Sequence, residues 1–171
     1  MKTRALLLIS IAIAGCQSSR PLDDPRLQDD ERGRLGSERS AGLIVKGPGF
    51  TGIIFSAKPP PDPRIYPSAT GFWTPSESDV STAEERLVPF LKNSNNSRIP
   101  EIVKRLDKYK RQYRGVVLRG RKQIAIHFFC DSYEEDWKVE EVVADGGSCF
   151  FNLHFSIEDK TFSDLEINGF A

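Results

Sequence analysis

Apolar residues along the chain follow a helical period in one region and a strand period in the next. Val80, Ala83, Leu87 and Leu91 recur at helical spacing, while Ser78, Glu84, Glu85 and Arg86 fall on the other side. Thr74-Pro75-Ser76-Glu77 stands just before them. It offers a hydroxyl at the N-cap, proline at the first helical position and glutamate at the third, a capping box that predicts a helix start at Thr74. Pro89 lacks the N–H of a helix interior and predicts an end or a kink near the last turn. After the loop Asn93-Ser94-Asn95-Asn96-Ser97, a second stripe of Ile99, Ile102, Val103, Leu106 and Tyr109 predicts a helix over 98–110, with basic residues on its outer side.

Beyond Gln112 the period becomes 2. Residues 113–119 read as a strand, Gly120-Arg121 as a two-residue turn, and 122–130 as the returning strand. In the latter Ile124, Ile126, Phe128 and Cys130 point one way, and Gln123, Ala125, His127 and Phe129 the other. Residues 149–157 repeat the pattern, with Cys149, Phe151, Leu153, Phe155 and Ile157 against Phe150, Asn152, His154 and Ser156. Glu158-Asp159-Lys160 turns the chain into a last strand over 161–168. Upstream, Leu43-Ile44-Val45 and residues 50–55 read as a short and a longer strand parted by Gly47-Pro48-Gly49. Pro59-Pro60-Pro61-Asp62-Pro63 is expected to run extended, as polyproline II. Helices followed by hairpin-linked strands predict one α+β domain over 42–171, with two helices packed on an antiparallel sheet. A cystatin-like or NTF2-like arrangement, a curved sheet around a helix, is an analogy of fold alone.

Residues 137–144 favour a strand, and Asp145-Gly146-Gly147 follows as a turn signal. A plain meander through this segment would place Cys130 and Cys149 at opposite ends of the sheet. A disulfide needs Cα atoms within about 7 Å. The segment is therefore an excursion off the sheet or pairs elsewhere; the excursion is the preferred reading.

The start of the chain follows neither period. Lys2 and Arg4 precede an apolar run over 5–14, about half the roughly 20 residues that span a bilayer. The run ends in Ile13-Ala14-Gly15-Cys16, which resembles the lipobox of bacterial lipoproteins. That resemblance implies a signal peptide over 1–15 and lipid, palmitate included, on Cys16. Several acyl chains on one residue hold a protein far more firmly than a single chain does. Gln17 stands where an aspartate would direct such a protein to the inner membrane, so the resemblance implies the outer membrane of the bacterial envelope. Residues 16–41 are polar, with Pro21, Pro25 and only scattered leucines, and read as a flexible tether or else as a short amphipathic helix on the membrane. Further on, Phe72-Trp73-Thr74-Pro75, Lys110-Arg111-Gln112-Tyr113, Phe129-Cys130, Trp137, Asp145-Gly146-Gly147, Cys149-Phe150-Phe151 and Asn168-Gly169 stand in a characteristic order. Over 50–171 they are together similar to a group of small bacterial lipoproteins. The likeness implies no activity and transfers no functional residue.

Charge is balanced, with 24 basic and 24 acidic side chains, which gives no case for general nucleic-acid binding. It is also segregated. Residues 98–122 carry Arg98, Lys104, Arg105, Lys108, Lys110, Arg111, Arg114, Arg119, Arg121 and Lys122 against Glu101 and Asp107, and 131–145 reverse the sign. A solvated helix face answered by the acidic loop explains this, as does a basic surface for anionic head groups or an acidic partner.

With Cys16 taken by lipid, Cys130 and Cys149 are expected to pair in an oxidising compartment, closing a loop that stabilises the fold by roughly 3 kcal/mol. Cys130 beside Asp131 is a poor setting for a catalytic thiolate. Gly147-Ser148-Cys149 fails as a nucleophile elbow because Phe150 stands where glycine is needed. If Cys130 lies across from Cys149, His127 faces Asn152 and is diagonal to His154. These groups, with Phe129 and Phe150 on the same face, form a candidate surface site. The aromatics there imply a contact surface or a second layer, which 43–55 could supply. No metal-binding pattern supports a metal site; Asp131-Ser132-Tyr133-Glu134-Glu135-Asp136 offers at most a weak calcium loop. The expectation is a non-enzymatic binding or structural module without cofactor or catalytic residue. It is anchored to the membrane through Cys16 and meets an envelope protein as partner. The alternative is a small periplasmic hydrolase or ligand-pocket protein using His127 and His154.

Overall fold

The computed structural model describes residues 42–130, 136–140 and 143–169. The leader, Cys16, the tether and most of the acidic run 131–136 lie outside the described residues. β1 (Gly42–Gly47) and β2 (Phe50–Phe55) form a hairpin over Pro48-Gly49. Gly49 sits at φ 76°, the positive angle that the second central residue of a proline–glycine turn requires. The proline tract is free of helix and strand as far as Asp62, whose carboxylate accepts the Arg64 N–H at 2.9 Å and opens a 3-10 turn over Pro63–Ile65. There follow β3 (Gly71–Trp73), α1 (Glu77–Lys92), α2 (Ile99–Lys104), β4 (Lys110–Leu118), β5 (Arg121–Phe129), β6 (Phe150–Ser156) and β7 (Phe162–Ile167).

The helices depart from the expected bounds for identifiable reasons. α1 is capped by Ser76, not Thr74: the Ser76 hydroxyl accepts the Asp79 N–H at 3.1 Å, and the Asp79 carboxylate accepts the Ser76 N–H at 3.0 Å. Phe72 and Trp73 are drawn into the sheet as β3, and Pro75 keeps Thr74 extended, so helix begins two residues later. α1 also continues past Pro89 to Lys92, because the lost hydrogen bond falls in the last turn, where Leu87 and Leu91 are fully packed. α2 is six residues long and gives way to a 3-10 turn over Leu106–Lys108. The apolar stripe survives this change, since three-residue spacing suits both helix types. Lys110 then opens β4, where β2 and β5 both recruit its backbone.

Seven strands make one mixed sheet, ordered β1-β2-β4-β5-β6-β7, with β3 beside β4 beyond the end of β2. An α+β architecture stands, but the sheet is not wholly antiparallel. β2 runs parallel to β4, with Thr51 opposite Lys110 and Ile54 opposite Tyr113. A parallel pair needs a long crossover, and the β3–α1–α2 stretch supplies it. Strands β1 and β2 therefore extend the sheet and do not form a second layer over it. The β4–β5 turn is Arg119-Gly120, at φ 51° and 77°, one residue earlier than expected and suited to a type I′ hairpin.

The helices cover one face. Val80, Ala83, Leu87, Leu91, Ile99 and Ile102 pack on Ile124, Ile126, Phe128, Phe151, Leu153 and Phe155, the strand parity that alternation predicts. Phe128 and Phe151 are cross-strand partners whose rings stack at 4.0 Å. Cys130 and Cys149 form the expected disulfide, with Cα atoms 4.7 Å apart. No helix among the described residues is long and apolar enough to cross a membrane.

Candidate functional site

β4 carries alternating charged and polar side chains through the middle of the sheet, and most of them are buried. Arg111 and Tyr113 face the helices. Arg111 lies 3.3 Å from Glu84 of α1, and the Tyr113 hydroxyl donates to Glu84 at 2.8 Å. Burial pushes the Glu84 carboxyl upward, against the pull of the Arg111 guanidinium and the Tyr113 hydroxyl. Gln112 and Arg114 face the other side and hold down the segment between the cysteines. The Gln112 amide donates to the Trp137 and Val139 carbonyls at 2.8 and 2.6 Å. Arg114 makes a two-pronged pair with Glu140, its Nε donating to Oε1 at 2.7 Å and its Nη2 to Oε2. Its remaining nitrogen donates to the Ser56 and Lys58 carbonyls, and the guanidinium lies over the Phe55 ring at 4.8 Å.

Two consequences follow. Arg111 and Arg114 are 1% and 4% exposed, so neither belongs to the basic surface that the charge count implied. The described residues of 137–144 are an excursion off the sheet, turning through a 3-10 segment at Asp136–Lys138 and covering the face that the helices leave open. Trp137 packs there with Ile53, Phe55, Phe129 and Phe150. Phe129 and Phe150, 2% and 8% exposed, meet edge to face at 5.9 Å. They belong to a second packed layer rather than to an exposed contact surface.

Further along that face Tyr66 packs with the buried Val116 and Ala125, and a cavity opens beside this cluster. His127 of β5 stands opposite Asn152 of β6, and Ala125 stands opposite His154, so the three polar groups share one side as expected. They line a cavity of about 520 Å³ together with Gln123, Asp164 and Glu166. Tyr66 and Ile65, from the turn after the proline tract, and Leu118 and Arg119, at the end of β4, form another wall. Tyr66 touches His127 edge to face at 5.8 Å, with its hydroxyl 3.5 Å from Nε2. Burial, with Glu140 adding to it, raises the Tyr66 phenol well above its ordinary range. Burial first, and the neighbouring His154 second, lower His127 to about 4. At neutral pH its imidazole is therefore uncharged, one ring nitrogen donating and the other accepting.

β7 contributes through an irregularity. Ser163 pairs with His154 and Glu166 with Asn152, which leaves Asp164 and Leu165 opposite Leu153 alone. This bulge holds Asp164 at φ 53° and puts its carboxylate 3.3 Å from His154 Nδ1. Bulges re-aim side chains in this way beside working sites. Neither the bulge nor the wall containing Tyr66 has a signature in strand alternation, so Tyr66, Asp164 and Glu166 were not legible as site residues, whereas alternation does place Gln123 on the face of His127.

The chemistry available is hydrogen bonding of both senses beside a short aromatic and aliphatic wall. Among the described residues no group of three His, Cys, Asp or Glu side chains is placed to hold a metal ion. The hydrogen bonds of the two imidazoles go to the Tyr66 phenol and to the Asp164 carboxylate. Ser148 is engaged elsewhere, accepting from Arg105 at 2.9 Å. No protein-family model, curated protein or solved structure was found to match the chain.

Proposed function

We propose that this chain is a lipid-anchored protein of the bacterial cell envelope, in the outer membrane, whose disulfide-stapled domain is a non-enzymatic binding module. The observation that carries the binding role is the cavity over β5, β6 and β7, where His127, Asn152 and His154 converge in a space of ligand size. The lipobox-like Ile13-Ala14-Gly15-Cys16 supports the anchor, and the Cys130–Cys149 bond suits an oxidising compartment. The cystatin-like or NTF2-like comparison is part of the same reading and concerns architecture only, a curved sheet around a helix. The parallel β2–β4 pair is the point of departure from it.

The test is metabolic labelling with palmitate followed by membrane fractionation. The wild-type chain takes up label and sediments with the outer membrane. Cys16→Ala does neither, and a labelled or membrane-bound Cys16→Ala protein would end the anchor reading. A second reading, a small hydrolase using His127 or His154, draws on the His154–Asp164 contact, which resembles the orientation of a catalytic base. It requires that replacing both histidines by alanine abolish a measurable turnover while leaving the fold intact.

A further inference from the structure

The cavity presents closely spaced hydrogen-bonding groups with little net charge, and this restricts what fits it. Asn152 and a neutral His127 face each other across β5 and β6, each able to donate and accept. Gln123, two positions before Ala125 on the same face of β5, lines the cavity and keeps its side-chain oxygen buried without a hydrogen-bond partner. A buried acceptor left unmet is costly, and a ligand hydroxyl is the donor it lacks once the amide turns inward. Asp164 is held at a positive φ by the β7 bulge, with its carboxylate already shared by His154 and the Ser163 hydroxyl. A positive φ at a non-glycine residue persists where the surrounding structure over-determines it, which fixes the position of the Asp164 carboxylate.

Other ligand classes fit less well. An anion would meet Asp164 and Glu166, with Arg119 as the one arginine or lysine of the lining. A divalent metal lacks a third ligand among the described residues. An acyl chain would strip water from the amides and imidazoles and return nothing. We propose that the cavity binds a neutral polyhydroxylated ring, a sugar unit either free or at the end of a glycan. Its hydroxyls meet Gln123, His127 and Asn152, and its less polar face lies on Tyr66. The proposal rests on the reading of this cavity as the domain's binding site.

The experiment uses the full chain in detergent. Glucose, N-acetylglucosamine and the β-1,4-linked trisaccharide of N-acetylglucosamine are titrated by calorimetry, with the histidine ring resonances followed in parallel. Inorganic phosphate and spermidine serve as charged probes. The expected result is saturable binding of a sugar that shifts His127 and His154, with neither charged probe binding there. A trisaccharide preferred over the single rings identifies a glycan as the source, and the reverse a free sugar. Asn152→Ala and Gln123→Ala should each weaken binding about tenfold. Saturable binding of phosphate or spermidine with the sugars inert overturns the sugar proposal and leaves the binding module standing. Silence from every probe overturns the sugar proposal as well, and histidine resonances that no probe moves count against the cavity itself as a site. Selectivity among the probes decides the matter on the wild-type chain, even if a variant fails to fold.

Discussion

Replacing Glu140 by Gln removes the carboxylate paired with Arg114 while leaving its guanidinium almost sealed from water. Arg114 and Glu140 side chains are 5% and 3% exposed, and two parallel hydrogen bonds join them. Breaking such a pair from one side destabilises by about 3–5 kcal/mol, since a buried charge loses its counter-charge. The Ser56 and Lys58 carbonyls and the Phe55 ring still solvate the cation in part, and glutamine still accepts one hydrogen bond, so the lower end, about 3 kcal/mol, is expected. That is a large share of the roughly 5–15 kcal/mol by which domains are stable. For a chain of this size it lowers the unfolding midpoint by roughly 6–12 °C. The assay is urea denaturation of wild type, Glu140→Gln, Arg114→Met and the double variant, with slopes compared to confirm two-state unfolding. The double variant buries no unpaired charge at this point. Its loss should fall short of the sum of the single losses by about 2 kcal/mol. Additive losses, or a loss below about 1 kcal/mol for Glu140→Gln alone, would refute the claim that this ion pair clamps the 136–140 segment onto the sheet.

Three further outcomes are expected. His127 has a folded pKa of about 4 against an ordinary 6.5, so between these values the unfolded chain binds a proton that the folded chain refuses. Stability should therefore fall as pH drops from 6.5 to 4, by up to about 3 kcal/mol for the 2.5-unit difference, and level off below it. His127→Gln should flatten that part of the profile, and an unchanged profile counts against a buried neutral imidazole. Gly115→Ala would place a Cβ 2.2 Å from the Trp73 carbonyl oxygen, where β3 closes on β4. Because the obstacle is backbone, a loss of about 3 kcal/mol is expected in denaturation, and a neutral result would argue against that pairing. Replacing Cys130 and Cys149 together by alanine opens the loop they close and should cost about 3 kcal/mol. Thiol titration of the unfolded wild-type domain should find neither cysteine free.

Much of the helix-facing core was legible, because burial on one side leaves a period. Ile124, Ile126, Phe128, Phe151, Leu153 and Phe155 could be placed on the inner face from alternation alone, and Val80, Ala83, Leu87 and Leu91 from helical spacing. His127, Asn152 and His154 were legible as neighbours for the same reason, once the cysteines set the register. The other face carries a second layer made by irregular segments, and irregular segments have no period. Phe129 and Phe150 looked like candidates for an exposed surface because Trp137, which covers them, comes from such a segment. Arg111 and Arg114 read as surface charge because a sequence count cannot show that Glu84 and Glu140 meet them inside.

Local patterns in the sequence thus determined the types of the longer elements, the inner parity of the central strands and the pairing of Cys130 with Cys149. Each of these rests on interactions between residues close in sequence, or on a covalent requirement that few geometries satisfy. The parallel run of β2 beside β4, the bulge at Asp164 and the wall made by Tyr66 were decided only by the tertiary structure. They depend on which distant segments compete for the same backbone hydrogen bonds and the same apolar face, and alternation is identical for a parallel and an antiparallel neighbour. The cavity belongs to this second group: β5 and β6 supply its floor, and long-range packing supplies its walls.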